Sequence, residues 1–484
     1  MSRVLRDILE NIDYGLYGEL PTEISAISNN SKKITAGDLF FAIRGTQTDG
    51  HQYIPQAIQN GAIAIVTEQY QENINIPQIV VSNGRSALST AAANYYDNPS
   101  NKLTVIGVTG TNGKTTTVYL LNAILQTAGI ACGSIGTLGY SINEKFFPLN
   151  LTTPDSLQLQ QILAEMVNEK VDVLVMEVSS HALSLNRVDD IRFTGGVFTN
   201  ISQDHLDFYS TIDNYVDAKL ELFRKILKTG FRLSNIDDSY SDKFNATGDA
   251  QLFTYSIASQ ADFTWKSDIK YKTGIEGTIT SKNISIPIKS SLSGYYNLSN
   301  ILAASTSAIQ LGIQPSVISQ AIAKVDYIPG RLQEIRKQGF PRVFIDYAHT
   351  PDAIVNVLGA LKDIVPSDGK LVTVFGCGGN RDKNKRPKMA KAAASLSDSV
   401  IITTDNPRFE DPEAIIKDAV KGFDKNENYI KITDRKAAIQ FAIENSSTKD
   451  IVAILGKGHE NYQEINGVRH PFSDVKIVEE LFGK

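Results

Sequence analysis

Cysteine is nearly absent from this chain of 484 residues: Cys132 and Cys377 stand alone, far apart and without a C-x-x-C neighbour. That excludes a disulfide framework and a zinc site built on paired thiolates, and it fits a reducing compartment. Long apolar runs are missing too, since none approaches the ~20 residues that a membrane-spanning helix needs. The opening Met1-Ser2-Arg3-Val4-Leu5-Arg6-Asp7 meets charge too early for a secretory leader, so a cytoplasmic location without a membrane partner is expected. A strong charge of one sign is also lacking. The 48 basic and 53 acidic residues leave a formal net charge of -5, which argues against a nucleic-acid partner and leaves any anionic ligand to local groups.

What is present reads as an ordinary globular enzyme, with 42% hydrophobic and 21% charged residues and no repeat or low-complexity tract. At roughly 150 residues per domain the length suggests about three domains. The most informative segment is Val108-Thr109-Gly110-Thr111-Asn112-Gly113-Lys114-Thr115-Thr116. A β-branched run, Leu103–Gly107, precedes it; Val118, Leu121, Ile124, Leu125 and Ala128 follow at helical spacing, with Gly129 as the stop. In a strand–loop–helix unit of this kind backbone N–H groups close around phosphate oxygens. Lys114 supplies a point charge and the Thr115 hydroxyl can ligate magnesium. The spacing departs from the common motif, whose first glycine would fall on Val108. Mg-ATP is the expected ligand.

Polar residues and proline at Asp97-Asn98-Pro99-Ser100-Asn101 mark a first break, and Tyr327-Ile328-Pro329-Gly330-Arg331 a second. The expected domains are therefore 1–100, 101–328 and 329–484. The first mixes strands such as Leu39–Ile43 and Ala62–Val66 with a helix ending near Asn60-Gly61. In the second, Val171–Val178 and Gly196–Asn200 alternate with helical patterns, which implies a parallel sheet covered on both faces. Between about Phe231 and Leu292 short β-like runs suggest an antiparallel elaboration outside the nucleotide fold. In the third, βα alternation resumes through Val343–Ile345, Leu371–Phe375, Val400–Ile402 and Ile451–Leu455, a doubly wound unit.

Glu177 falls where a parallel strand ends, the usual ligand edge of an open α/β sheet. Asn200 through Asp207, with His205, follow the next strand end, and carboxylate with imidazole there could complete a magnesium site. Lys219, on pattern alone, reads as a solvated helix lysine.

The segments Gly110–Thr115, Met176–His181, Asn200–His205, Tyr296–Asn300, Pro329–Arg331 and Asp346–Pro351 together resemble the Mur ligases of peptidoglycan synthesis, in order and across essentially the whole chain. Three further signatures, Phe375–Lys383, Asp405-Asn406-Pro407-Arg408 and Gly456-Lys457-Gly458-His459-Glu460, are similar to those of members that add the third amino acid. In that branch Asp-Asn-Pro-Arg accompanies meso-2,6-diaminopimelate, whereas lysine-adding members usually lack the arginine. The reason is chemical: a guanidinium can grip the second carboxylate of diaminopimelate through two charge-assisted hydrogen bonds, and lysine has none to offer.

The resemblance implies an N-terminal α/β UDP-binding domain, a central P-loop ATPase domain and a C-terminal Rossmann-like domain. It implies an ATP-dependent ligase that joins diaminopimelate to UDP-N-acetylmuramoyl-L-alanyl-D-glutamate through an acyl phosphate, acting as a monomer. Gly110, Thr111, Asn112, Gly113, Lys114, Thr115, Thr116, Asn297, Asn300, Arg331 and Asp346 would bind ATP. Thr115, Glu177 and His205 would hold magnesium, and Lys219 matches the family lysine that becomes a carbamate. Ser31, Thr46, Gln47, Thr48, Thr152, Thr153, Ser179 and Arg187 would face the nucleotide-sugar peptide. Arg381, Asp405, Asn406, Pro407, Arg408, Gly456 and Glu460 would bind the amino acid. Two departures fall in the muropeptide region: Asn30-Ser31-Lys32 replaces Asp-Ser-Arg, and Leu185 stands where glutamine is common. The rival readings are a lysine-adding ligase, folylpolyglutamate synthetase, and a nucleotide-dependent switch.

Overall fold

The computed structural model describes residues 2–45, 48–266, 269–271, 274–424 and 429–483. Three sheets organise them. The first has five strands in the order Gly15–Tyr17, Gln78–Val80, Ala62–Thr67, Asp38–Phe41, Ile27–Ser28, parallel except at the Gly15–Tyr17 edge. Its helix Gly84–Tyr95 starts where the Asn83 side chain accepts from the N–H groups of Arg85 and Ser86, a cap that satisfies two otherwise orphaned donors.

The second sheet has eleven strands. Seven of them, Cys132–Gly136, Val173–Glu177, Thr104–Thr109, Phe193–Phe198, Ile226–Asn235, Gln251–Ser256 and Phe263–Trp265, run parallel in that spatial order. Antiparallel hairpins extend both ends, Gly139–Ile142 with Lys145–Phe147 at one and Ile275–Ser281 with Ile284–Ser290 at the other. This corrects the sequence expectation for residues 231–292. The strands up to Trp265 belong to the parallel sheet, and only the last hairpin is antiparallel, hydrogen-bonded to the same sheet. Short runs with polar interruptions carry no mark of strand direction, which connections decide.

The central strands are apolar on both faces because both faces are covered. Ile106, Val108, Val175 and Val197 pack toward Leu121, Ile124, Leu298 and Ile301, while Val105, Leu174 and Met176 pack toward Leu159, Leu163, Leu220 and Phe223. The helix Lys114–Thr127 lies against Tyr295–Gln310, so the phosphate loop rests on the element that carries Asn297 and Asn300.

The third sheet orders Gln333–Ile335, Arg342–Asp346, Ile451–Leu455, Leu371–Cys377, Ser399–Thr404 and Tyr429–Lys431, parallel except at the first edge. Behind it, Arg435 and Asp474 form a fully buried ion pair through Nε (2.9 Å) and a terminal nitrogen (2.7 Å). The same nitrogen donates to the carbonyl of Leu455 at 3.0 Å, fixing the strand end from which Gly456–Glu460 departs.

Candidate active site

The strand ends Thr109, Glu177, Phe198 and Asn235 are neighbours along one edge of the central sheet, so the loops that leave them share one cleft. Gly110 and Gly113 both have positive φ, +145° and +86°. A Cβ at Gly110 would lie 1.9 Å from Thr199 Oγ1, and one at Gly113 would lie 2.4 Å from Asn300 Oδ1. Only glycine fits this loop. Asn200 fixes the turn between them: its Oδ1 accepts from Asn112 N–H at 2.9 Å and its Nδ2 donates to the Asn112 carbonyl at 3.1 Å. Lys114 Nζ donates to the carbonyls of Gly110 and Thr111. Burial lowers its pKa, against the pull of Glu177 and Asp204.

Lys219 is 1% exposed, and its Nζ donates to the Gly110 carbonyl at 2.8 Å. The pattern reading of a solvated lysine is therefore wrong. The helix Ile212–Arg224 turns Tyr215, Val216, Lys219, Leu220 and Phe223 inward, and sequence spacing does not distinguish a lysine on that face from one beside it. Burial, and then the charge of Lys114, holds the Lys219 pKa well below its ordinary value.

Glu177 is 1% exposed. Its Oε1 accepts from Thr137 N–H at 2.7 Å and its Oε2 from the Thr137 hydroxyl at 3.1 Å. His205 has positive φ (+55°), presents Nε2 to Asp204 Oδ2 at 3.4 Å, and meets the His181 ring edge-on at 4.7 Å. Burial lowers the His205 pKa despite Asp204; burial opposes the Asp204 carboxylate, but His205 and Lys385 keep it charged.

Among the described residues no three His, Cys, Asp or Glu side chains converge as a ready-made metal cage. The Thr115 hydroxyl and the buried Glu177 carboxylate nevertheless line the same cavity, and hard oxygen donors with room for substrate oxygens suit magnesium.

From the third domain Arg331 reaches across: a terminal guanidinium nitrogen donates to Thr115 Oγ1 at 2.8 Å, with the cation over the Tyr347 ring. Asp346 is buried, and its two oxygens accept from the N–H groups of Leu332 and Ala348, so here it shapes the turn that carries Arg331. Asn297 and Asn300 are buried and joined to each other at 2.9 Å.

On the third-domain wall, Asn406 Nδ2 donates to Glu460 Oε2 (2.9 Å), while the buried Lys457 Nζ donates to Glu460 Oε2 (2.7 Å) and Asn406 Oδ1 (3.1 Å). A Cβ at Gly456 would fall 2.6 Å from Asp405 Oδ2. Arg408 takes a left-handed backbone conformation, φ +53°, held by a hairpin, Tyr462–Ile465 with Val468–Pro471. Its N–H donates to the Glu464 carbonyl at 3.0 Å and its carbonyl accepts from Asn466 N–H at 2.6 Å. Its guanidinium donates to the Gly379 carbonyl at 2.7 Å and lies 3.5 Å from the Glu464 carboxylate. Pro407 is buried, and its carbonyl lies against Gly379.

One cavity of about 770 Å³ is lined by Lys114, Thr115, Glu177, His205, Lys219 and Asn300 from the central domain and by Arg331, Arg381, Arg408, Gly456 and Glu460 from the third. The predicted phosphate and amino-acid groups thus meet in one space. Thr152 and Ser179 line it as well, and Thr153 and Arg187 stand behind: Arg187 donates to the Thr153 carbonyl, and the Thr153 hydroxyl to the Glu177 carbonyl. Leu185 follows the short helix Ser180–Ser184 that Ser179 caps. Ser31 lies apart from the cavity, its hydroxyl donating to Gln56 at 2.7 Å, and Thr48 is exposed. Thr46 and Gln47 lie outside the described residues.

Sequence reasoning missed Thr137, Lys457 and Glu464. Lys457 lies in the Gly456–Glu460 signature three residues before Glu460, a spacing that offers it as the partner of that carboxylate; Thr137 carries no sequence signal.

Family models agree with this geometry domain by domain. The Mur ligase family catalytic-domain model matches residues 23–96, the Mur ligase middle-domain model residues 108–308, and the Mur ligase glutamate-ligase-domain model residues 330–458. The chain is 40% identical over 484 residues, 99% of each chain, to the UDP-N-acetylmuramoyl-L-alanyl-D-glutamate–2,6-diaminopimelate ligase of Bacteroides fragilis. A solved structure of a protein with that same name matches at 33% identity and TM-score 0.69 over 100% of this chain and 99% of the other. Folylpolyglutamate synthase of Mycobacterium tuberculosis shares the fold at TM-score 0.65 and 18% identity, over 82% of this chain and 95% of the other. With near full-length relatives and all three domains matched, the chain belongs to the Mur ligase family.

Proposed function

We propose that this chain is an ATP-dependent amide ligase that adds meso-2,6-diaminopimelate to UDP-N-acetylmuramoyl-L-alanyl-D-glutamate. The single observation that carries this reading is the shared cavity, with the phosphate loop and Arg331 at one wall and Arg408 with Glu460 at another. The D-glutamate carboxylate attacks the γ-phosphorus of ATP, forming an acyl phosphate and releasing ADP. The amine of the incoming amino acid then attacks the acyl carbon, phosphate leaves, and the amine loses its proton.

Both reactants of the first step are anions, so the chain's main task is neutralisation and alignment. Lys114 and Arg331 bring positive charge to the phosphates, and the glycine loop offers N–H donors. Thr115, Glu177 and His205 would hold magnesium, which would supply further positive charge to the phosphate oxygens when bound. Lys219 fits carbamylation: its depressed pKa favours the neutral amine, the form that adds to carbon dioxide, and the product is an anion near the Lys114 ammonium. Arg381 and Arg408 take the distal carboxylate, while Glu460, fixed by Lys457 and Asn406, takes an ammonium. Thr152 and Ser179 face the muropeptide, with Thr153 and Arg187 supporting them from behind, and Ser31, Thr46, Gln47 and Thr48 serve the uridine side.

The reading is that of a cytoplasmic monomer; no helix of the described residues is long and apolar enough to cross a membrane. Phosphate release with UDP-MurNAc-dipeptide and ATP, compared among meso-diaminopimelate, L-lysine and no amino acid, tests it. Release only with diaminopimelate is expected; equal release with lysine rejects the assignment.

A further inference from the structure

His459 stands in the third domain, one residue before Glu460, yet its Nε2 lies 3.0 Å from the carbonyl oxygen of Thr137 in the central domain. A carbonyl only accepts, so Nε2 carries the proton and the tautomer is fixed. Nδ1 is buried and has no partner among the described residues. Thr137 is the residue whose N–H and hydroxyl grip the two oxygens of Glu177. It follows directly on the strand Cys132–Gly136, and a Cβ at Gly136 would lie 2.4 Å from Glu177 Oε1, so the turn has little freedom to reorient alone. On its other side the His459 segment rests on the inter-domain turn, because a Cβ at Gly330 would lie 2.2 Å from the His459 nitrogen.

We propose that His459 is a positioning residue: it ties the amino-acid segment Gly456–Glu460 to the orientation of the Glu177 carboxylate through Thr137. One short segment then does two things. Glu460 faces the incoming amino acid, and His459 sets the turn that aims the carboxylate assigned to magnesium. Docking of the third domain and readiness of the phosphate site become one event. Burial and the neighbouring Arg331 lower the imidazole pKa to about 4, so the link operates with a neutral ring. The inference rests on the ligase reading above for the role of Glu177.

The test compares His459→Gln, which keeps an N–H donor of similar reach, with His459→Met, which keeps the length and loses the donor. Two readouts are needed: Mn²⁺ binding by paramagnetic resonance with a non-hydrolysable ATP analogue, and kcat and KM for diaminopimelate. His459→Met is expected to weaken Mn²⁺ binding and lower kcat, each by about tenfold, the scale of one hydrogen bond, with KM for the amino acid within about twofold. His459→Gln is expected to recover most of both. Unchanged Mn²⁺ affinity in His459→Met, a loss confined to KM, or equal losses in the two variants overturns the proposal. Should His459→Met fail to fold, His459→Asn, whose amide is too short to reach, takes its place. The metal measurement needs neither muropeptide nor amino acid, so a wild-type enzyme with a different substrate would refute the ligase assignment and leave this test standing.

Discussion

Arg331 and Thr115 are 216 residues apart in the chain and 2.8 Å apart in space, guanidinium to hydroxyl, each contributed by a different domain. The phosphate loop is thereby finished by a residue that it does not contain. Arg331→Ala should lower kcat by about 10²-fold, as removal of a preorganised cation at a phosphate site does, without unfolding the protein. Phosphate release paired with a thermal melt checks it. A loss below threefold would remove Arg331 from the reaction.

Arg408→Ala should reduce kcat/KM for diaminopimelate by at least about 10²-fold, through loss of two charge-assisted hydrogen bonds. Any residual activity with L-lysine should be unaffected, since lysine lacks the distal carboxylate. Competition between the two amino acids on wild type and variant reads this directly. Parallel loss for both would mean that the arginine holds the pocket's shape.

Lys219 should carry a carbamate. Burial depresses its pKa, which raises the fraction of neutral amine available to carbon dioxide, and acidification protonates it and closes that route. A carbonyl resonance from isotopically labelled bicarbonate should appear in wild type, fade as pH falls, and be absent in Lys219→Ala. An identical spectrum in the variant would place the label elsewhere.

Acid should destabilise the fold before carboxylates titrate. His181, His205, His349 and His459 all have lowered pKa values, with burial as the leading cause. Below pH 6.5 the unfolded chain takes up protons at these rings while the folded chain does not, so stability falls as pH falls. For His459 the window runs from 6.5 to about 4, at about 1.4 kcal/mol per pH unit. Urea midpoints at pH 7 and pH 5 should differ in that direction, and His459→Gln should narrow the difference.

Asp474→Ala leaves Arg435 buried without its partner and should cost about 3–5 kcal/mol in urea unfolding. Because Arg435 also holds the Leu455 carbonyl, KM for the amino acid should rise in whatever variant remains folded. An unchanged midpoint would mean that water reaches the pair.

The parts legible in sequence were those where chemistry dictates residue type locally. Glycines at 110 and 113, a lysine and threonine opening a helix, and a carboxylate ending a strand each announce themselves through backbone or charge requirements, whereas Arg408 stands out only beside the flanking family signatures. What stayed hidden depends on distance in space. Lys219 looks solvated until its helix face is known, and the Ile275–Ser290 hairpin joins the main sheet through edge pairing that no local pattern encodes. Thr137 is an ordinary turn threonine whose importance comes from the Glu177 oxygens beside it. Asp346, expected near ATP, lines the cavity, and its added part in shaping the turn that carries Arg331 has no local sequence mark.

The left-handed backbone of Arg408 is pinned by the Tyr462–Pro471 hairpin, not by the residues that would contact an amino acid. Lengthening or shortening that turn by a single residue would displace the guanidinium while every contact side chain kept its identity. Substrate choice in this enzyme can therefore drift through insertions and deletions in a surface ribbon, and a comparison of pocket residues alone would overlook the change.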